Sequence, residues 1–206
     1  IVTLRVHPSI AIRWLMPRLP DFYRDHPHVR VDIDTAWSRR PDFELEGIDG
    51  MIEYGAGPWP SLVEDRLWEE HLAPVCRPGL VDNLASRGDF AGLVLLHMDR
   101  THETWERWAV QAKMSLADAR HLVFDTLDLA VTAAQQGQGI ALADLALVDA
   151  AMRGGLLMQA HPAQLDAGMG YSLIAPRTSD SHQGFCQLRE WLKQQAEMTR
   201  RELAAI

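Results

Sequence analysis

Cysteine is scarce in this 206-residue chain. Cys76 and Cys186 are too few for a disulfide framework, and they read as small packed residues. No signal-peptide pattern opens the chain, so a reducing cytoplasm is the expected compartment. Long apolar runs are missing too: nothing approaches the roughly eighteen uninterrupted apolar residues of a membrane span. Positive charge is in deficit, with 20 Lys and Arg against 28 Asp and Glu, a net −8. A chain whose main task is to grip phosphate backbones leans the other way. Apolar residues are plentiful, at 47% against 23% charged. That composition excludes disorder as the main state, and the length suits one large domain or two small ones. The chain starts at Ile1 on a strand pattern without an initiator Met, so it is read as part of a longer protein whose N-terminal portion is not included.

Catalytic signatures are lacking as well. There is no His-Glu-x-x-His, no Gly-x-Ser-x-Gly elbow and no cysteine beside a histidine. His97 and His102, five apart, have neither helical ligand spacing nor a strand-pair period, and read as surface histidines flanking a turn. No metal site, no cofactor and no enzymatic activity are expected. Gly55-x-Gly57 leads into Pro-Trp-Pro, and Gly137-x-Gly139 follows a helical pattern. Neither can arrange backbone N–H groups and a helix start around a phosphate. Asp32-Ile33-Asp34-Thr35 is faintly similar to the aspartate pair of haloacid-dehalogenase-type phosphatases, but that motif needs a buried apolar strand and this one alternates with Arg30. A phosphatase using Asp32 and Asp34 stays a rival reading.

What is present is βα alternation from end to end. Leu4 and Val6 alternate with Arg5 and His7, which predicts a strand. Ser9 is a candidate N-cap for a helix over 10–23, interrupted at Pro17 and Pro20. Val29, Val31 and Ile33 predict a second strand, Pro41-Asp42 a short helical turn ending at Gly47, and Met51 to Tyr54 a third strand. Val63–Leu67 and Leu72–Val75 read as two more strands. The second half repeats the rhythm. Strands are predicted at Leu93–His97, Leu122–Phe124, Ile140–Ala143 and Tyr171–Ala175. Helices follow Thr101 and Thr126, cover Leu145–Arg153, and run on from Ser181. Such alternation predicts an open α/β sheet, and two of them.

Two strand-to-helix joints stand out, Val6-His7-Pro8-Ser9-Ile10 and Val123-Phe124-Asp125-Thr126-Leu127. Each sets a hydroxyl at a helix start just past the carboxyl end of a strand, where open α/β sheets bind ligands and helix ends favour anions. Trp105, Trp108 and Trp191 read as core. Trp37 and Trp59 lie in loops after strands, where each is either a pocket wall or a loop anchor.

The order of several further pieces carries a family likeness. They are Ser9-Ile10-Ala11-x-Arg13-Trp14-Leu15-x-Pro17-Arg18-Leu19, Phe22-Tyr23-Arg24-Asp25-His26-Pro27, Glu46 to Gly57 with Trp59, Leu72-Ala73-Pro74-Val75-Cys76-x-Pro78, Phe124-Asp125-Thr126, Gln136-Gly137-x-Gly139-Ile140-Ala141-Leu142 and Trp191-Leu192. Over nearly its whole length the chain resembles the effector-binding domain of LysR-type transcriptional regulators, in the subgroup of the glycine-cleavage activator and the chromosomal β-lactamase regulator.

The resemblance implies two Rossmann-like α/β lobes of the type II periplasmic-binding-protein fold, joined by two crossing segments. Lobe I would span 1–73 and 177–206, and lobe II 74–176. A winged helix-turn-helix would lie N-terminal to Ile1 and carry all DNA binding. A small effector would sit between the lobes, touching Ser9, Ile10, Trp37, Glu53, Tyr54, His97, Asp125, Thr126 and Tyr171, with Asp42 tied to activation. Side-by-side homodimers are implied, pairing the helix over 10–23 with a partner's helix near Leu127–Gln136. Glu53 departs from the subgroup, which has Arg there. Helix starts at Ser9 and Thr126 favour an anion, and the acids Glu53 and Asp125 favour a cation, so the expected effector bears a carboxylate and is zwitterionic. A solute-binding protein of a transporter shares this fold and is the other rival.

Overall fold

The computed structural model describes residues 1–36, 42–81, 84–98 and 100–204. Val2–Val6 is β1; Pro8–Ile10 (α1) runs into a π-helical turn at Ala11–Leu15, and Leu19–Asp25 is α2. Then come β2 (Val31–Asp34), α3 (Phe43–Glu46), β3 (Gly50–Gly55) and β4 (Val63–Cys76). α4 (Leu84–Arg87), β5 (Val94–His97), α5 (Glu103–Ala112), β6 (Arg120–Val123) and α6 (Leu127–Gln135) follow. β7 (Ile140–Asp144), α7 (Leu145–Arg153), β8 (Met158–Gln159), β9 (Leu165–Ala175), a 3-10 turn at Arg177–Ser181 and α8 (Gln183–Leu203) complete the order. Among the described residues no helix is long and apolar enough to cross a membrane.

Local chemistry explains most boundaries. Asp42 accepts from the Leu45 N–H and Gly47, at φ 64°, closes α3 in the left-handed region that glycine tolerates. Thr126 caps α6 through the Leu129 N–H at 3.4 Å. Pro20 sits in the first turn of α2, where its missing N–H costs nothing. Other expectations need correction. His7, not Ser9, caps α1: its Nδ1 accepts from the Ser9 N–H at 3.3 Å. Pro8 follows in the first helical position, so Ser9 carries the first N–H that needs a partner. Thr101 lies one residue further out than a cap, since His102 precedes α5. α8 begins at Gln183, two residues after the Ser181 start expected, with His182 as its cap. β4 is one strand where two were expected; Glu69, Glu70 and His71 break its apolar alternation but not its extended backbone.

The chain divides into two compact units, Ile1–Glu70 with Gly168–Ile206, and His71–Ala167. It passes from one to the other inside β4 and again inside β9, so the return begins at Gly168 where the sequence reading put 177.

In the first unit β2, β1 and β3 are parallel, and β9 pairs antiparallel with β3. Both faces of β1 are covered, so Arg5 is buried although the alternation suggested a solvent-facing position. Trp14 and Trp68 pack with tilted rings, centroids 4.7 Å apart, and the buried Trp14 indole donates to Thr199 Oγ1 of α8 at 2.9 Å. Phe22 of α2 packs on Trp191 of α8 at 5.3 Å.

In the second unit β7, β5 and β6 are parallel, with the end of β4 antiparallel to β7 and β8 on β4. Its core is an edge-on trio, Phe90, Trp105 and Trp108, with centroids 5.4–5.8 Å apart. Each buried indole finds a carbonyl: Trp105 donates to Leu96 O and Trp108 to Ala163 O. Cys76 lies in this core, and burial pushes its thiol up to about 11.

Candidate functional site

The expected site residues fall in both units, each time where parallel strands end. In the first unit β1 and β3 run together, Val6 beside Ile52. The turn His7–Ile10 and the last residues of β3, Glu53 and Tyr54, therefore lie at the same end of these two strands. Ser9 and Ile10 are buried. Burial lowers the His7 imidazole below its ordinary range, which keeps Nδ1 a bare acceptor for the Ser9 N–H.

Tyr54 is the exposed end of an aromatic ladder. Its ring lies 5.2 Å from Tyr171, which lies 4.7 Å from Trp68, which packs on Trp14. Its hydroxyl donates to the buried Glu70 at 2.7 Å. A ring held at both ends loses little freedom when a ligand lands on it. Glu53 stands opposite Ser172, whereas Tyr54 stands opposite Tyr171. Neighbours on a strand project to opposite faces, so Glu53 and Tyr54 lie on opposite faces of β3.

Next to this edge is a charge knot. The buried Arg5 guanidinium donates to Asp34 and, at 2.9 Å, to Glu46. The Ala36 N–H and Arg5 together hold the Asp34 carboxyl below the usual carboxylate range. Glu46 also accepts from the Asp42 N–H at 2.9 Å, so β1, β2 and the α3 turn bearing Asp42 are tied at one point. The pair proposed for phosphatase chemistry is committed to arginines, Asp34 to Arg5 and Asp32 to Arg30. Trp37 lies outside the described residues. Trp59 folds over Gly55, where a Cβ would come within 2.7 Å of its ring, so it is a loop anchor.

In the second unit His97 ends β5, and its carbonyl accepts from the Phe124 N–H at 2.8 Å just beyond β6. Asp125 is exposed, and Thr126 opens α6. His97 is buried, not the surface residue that its spacing suggested. His102 lies against it with centroids 4.0 Å apart, and His121 of β6 joins both: its Nδ1 is 2.9 Å from His97 Nε2, and its ring stacks on His102 at 4.7 Å. Sequence reasoning missed His121. Its only signal was a histidine on the strand that would pair beside His97.

A pocket of about 400 Å³ lies in the first unit along α2 and α8, lined by Asp25, His26, Cys186 and Trp191 among others. It contains none of the expected site residues, and we give it no role, because strand ends carry the polar groups a ligand needs.

The model of the LysR substrate binding domain matches residues 1–197. The glycine cleavage system transcriptional activator of Escherichia coli (strain K12) is 29% identical over 195 residues, 93% of this chain and 63% of that protein. The HTH-type transcriptional activator AmpR of Pseudomonas aeruginosa is 30% identical over 199 residues, 95% of this chain and 66% of that protein. The chain thus spans about two thirds or less of the length of these relatives. The crystal structure of the effector domain of the same Pseudomonas regulator superposes with a TM-score of 0.78 at 27% identity, covering 98% of each chain. The fold is the type II periplasmic-binding-protein-like fold of such domains.

Proposed function

Because the chain belongs to the LysR substrate-binding domain family, we propose that it is the ligand-sensing part of a bacterial transcriptional regulator and not an enzyme. Effector binding shifts a two-state equilibrium of the regulator, and DNA binding, carried by a segment outside these 206 residues, reports the shift. The observation that carries the reading is the family match over 1–197. It is supported by the grouping of the candidate residues at the carboxyl ends of β1 and β3 and of β5 and β6, where sheets of this kind bind ligands.

The contacts we assign are Ser9, Ile10, Tyr54 and Tyr171 from the first unit and His97, Asp125 and Thr126 from the second. The effector is a small carboxylate-bearing molecule. Any amine on it pairs with Asp125, since Glu53 projects to the face opposite Tyr54. The regulator acts in the cytoplasm as a homodimer. Ile12, Met16 and Leu129 support that assembly: they are exposed apolar residues on the two helical surfaces the dimer would use, while their neighbour Leu15 is core.

A thermal-shift screen of the chain against amino acids, small carboxylates and peptidoglycan fragments tests this. A ligand at 100 times its dissociation constant stabilises by about 2.7 kcal/mol. A hydrogen bond to a charged group contributes about 1.5–3 kcal/mol, so Thr126→Val weakens a hit about tenfold or more. A screen without hits, or a hit indifferent to both Tyr54→Ala and Thr126→Val, counts against the assignment.

A further inference from the structure

We propose that His97, His102 and His121 form a binding site for a divalent transition-metal ion of the zinc class. Three separate pieces of chain deliver the three rings: the end of β5, the residue before α5, and β6. In the parallel β5–β6 pair, His97 stands opposite Val123 and His121 opposite Leu95, so the two histidines are diagonal neighbours on one face. His102 has φ 63°, a backbone region that residues with side chains seldom adopt, and that turn brings its ring against both others.

One donor atom from each ring lies within 4.8 Å of the others. A metal–imidazole bond is about 2.0–2.1 Å, which puts tetrahedral donors about 3.3–3.4 Å apart. The His97 Nε2 to His121 Nδ1 distance of 2.9 Å is already close to that. Rotation of His102 and His121, the two less buried rings, closes the remainder. In the metal-free chain one of the two nitrogens carries the proton between them; on metal binding that ring changes tautomer, its proton passing to its other ring nitrogen, so both rings stay neutral and each donates a lone pair.

The chemistry of the set selects the ion. Three neutral imidazoles suit zinc, copper or nickel and not magnesium or calcium, which take oxygen ligands. Burial grades from His97, fully enclosed, through His102 to the exposed His121, so the set is anchored on one side and reachable on the other. Three protein ligands also leave a fourth position for water or an anionic ligand. The site shares His97 with the proposed effector contacts, but it rests on these three rings alone and is tested with zinc in the absence of any effector.

Isothermal titration of the 206-residue chain with zinc sulfate tests it, with magnesium sulfate as the control. We expect one zinc per chain, no comparable magnesium binding, and a zinc-induced rise in melting temperature. Loss of a supporting outer-shell group alone weakens metal sites by about 10–100-fold, so His121→Ala and His102→Ala each lower zinc affinity by about 100-fold or more. His121 is exposed, so its variant keeps the melting temperature of the parent without metal. No zinc binding, binding undiminished in His121→Ala, or binding abolished instead by His28→Ala, at the separate His26–His28 pair of the first unit, overturns the proposal.

Discussion

Replacing Arg5 by Met tests how the first unit ties β1 and β2 to the α3 turn. The guanidinium is 4% exposed and bonds Asp34 through Nε at 3.1 Å and through Nη2, while Nη2 also reaches Glu46. Met keeps much of the apolar stem but removes the charge, and two carboxylates are left facing each other. Removing one member of a buried ion pair costs about 3–5 kcal/mol. Asp34 and Glu46 keep 28% and 24% exposure, so water partly compensates them and the low end, about 3 kcal/mol, applies. In a chain of this size each kcal/mol moves the melting temperature by about 2–4 °C, so a loss of roughly 6–12 °C is expected.

The pH dependence has a definite sign. The Asp34 pKa is depressed in the fold by the Ala36 N–H and then by Arg5. Its stabilisation is therefore complete above the unfolded value, about 3.9, and is lost as pH falls through the folded one. The gap between parent and Arg5→Met is full at neutral pH and closes on acidification below about pH 4. Urea titrations followed by tryptophan fluorescence at neutral and acid pH measure both. A variant with the parent's midpoint at neutral pH, or a gap that widens in acid, refutes the reasoning.

Two further outcomes follow from packing. A Cβ at Gly139 would stand 2.5 Å from the Val94 carbonyl, so Gly139→Ala forces β7 off β5 and destabilises the second unit by about 1–3 kcal/mol; unchanged thermal melting contradicts that close approach. Ile12→Asp with Met16→Asp leaves the chain folded, with unchanged far-UV circular dichroism, because both positions are exposed in the single chain. The proposed dimer then predicts a monomer by light scattering in the double variant, and a dimeric double variant removes that surface from the interface.

Some of this protein was legible in its amino-acid order alone. The βα alternation, the Asp42 to Gly47 turn, the Thr126 cap and Gly137 after α6 are local: each depends on a side chain meeting a backbone group a few residues away. Trp105, Trp108 and Trp191 were readable as core for the same reason, since they lie on apolar helical faces. The tertiary structure decided what depends on partners far along the chain. It buried Arg5, because α3 and β2 brought it two carboxylates. It set Tyr54 beside Tyr171, because β3 and β9, far apart in the chain, pair antiparallel in that register. It joined His97 and His102 to His121, because the β5–β6 register, invisible to spacing along a single strand, set them side by side. Periodicity encodes which way a side chain faces within its own element, while the neighbour it meets there is set by register and crossing, which no local pattern contains.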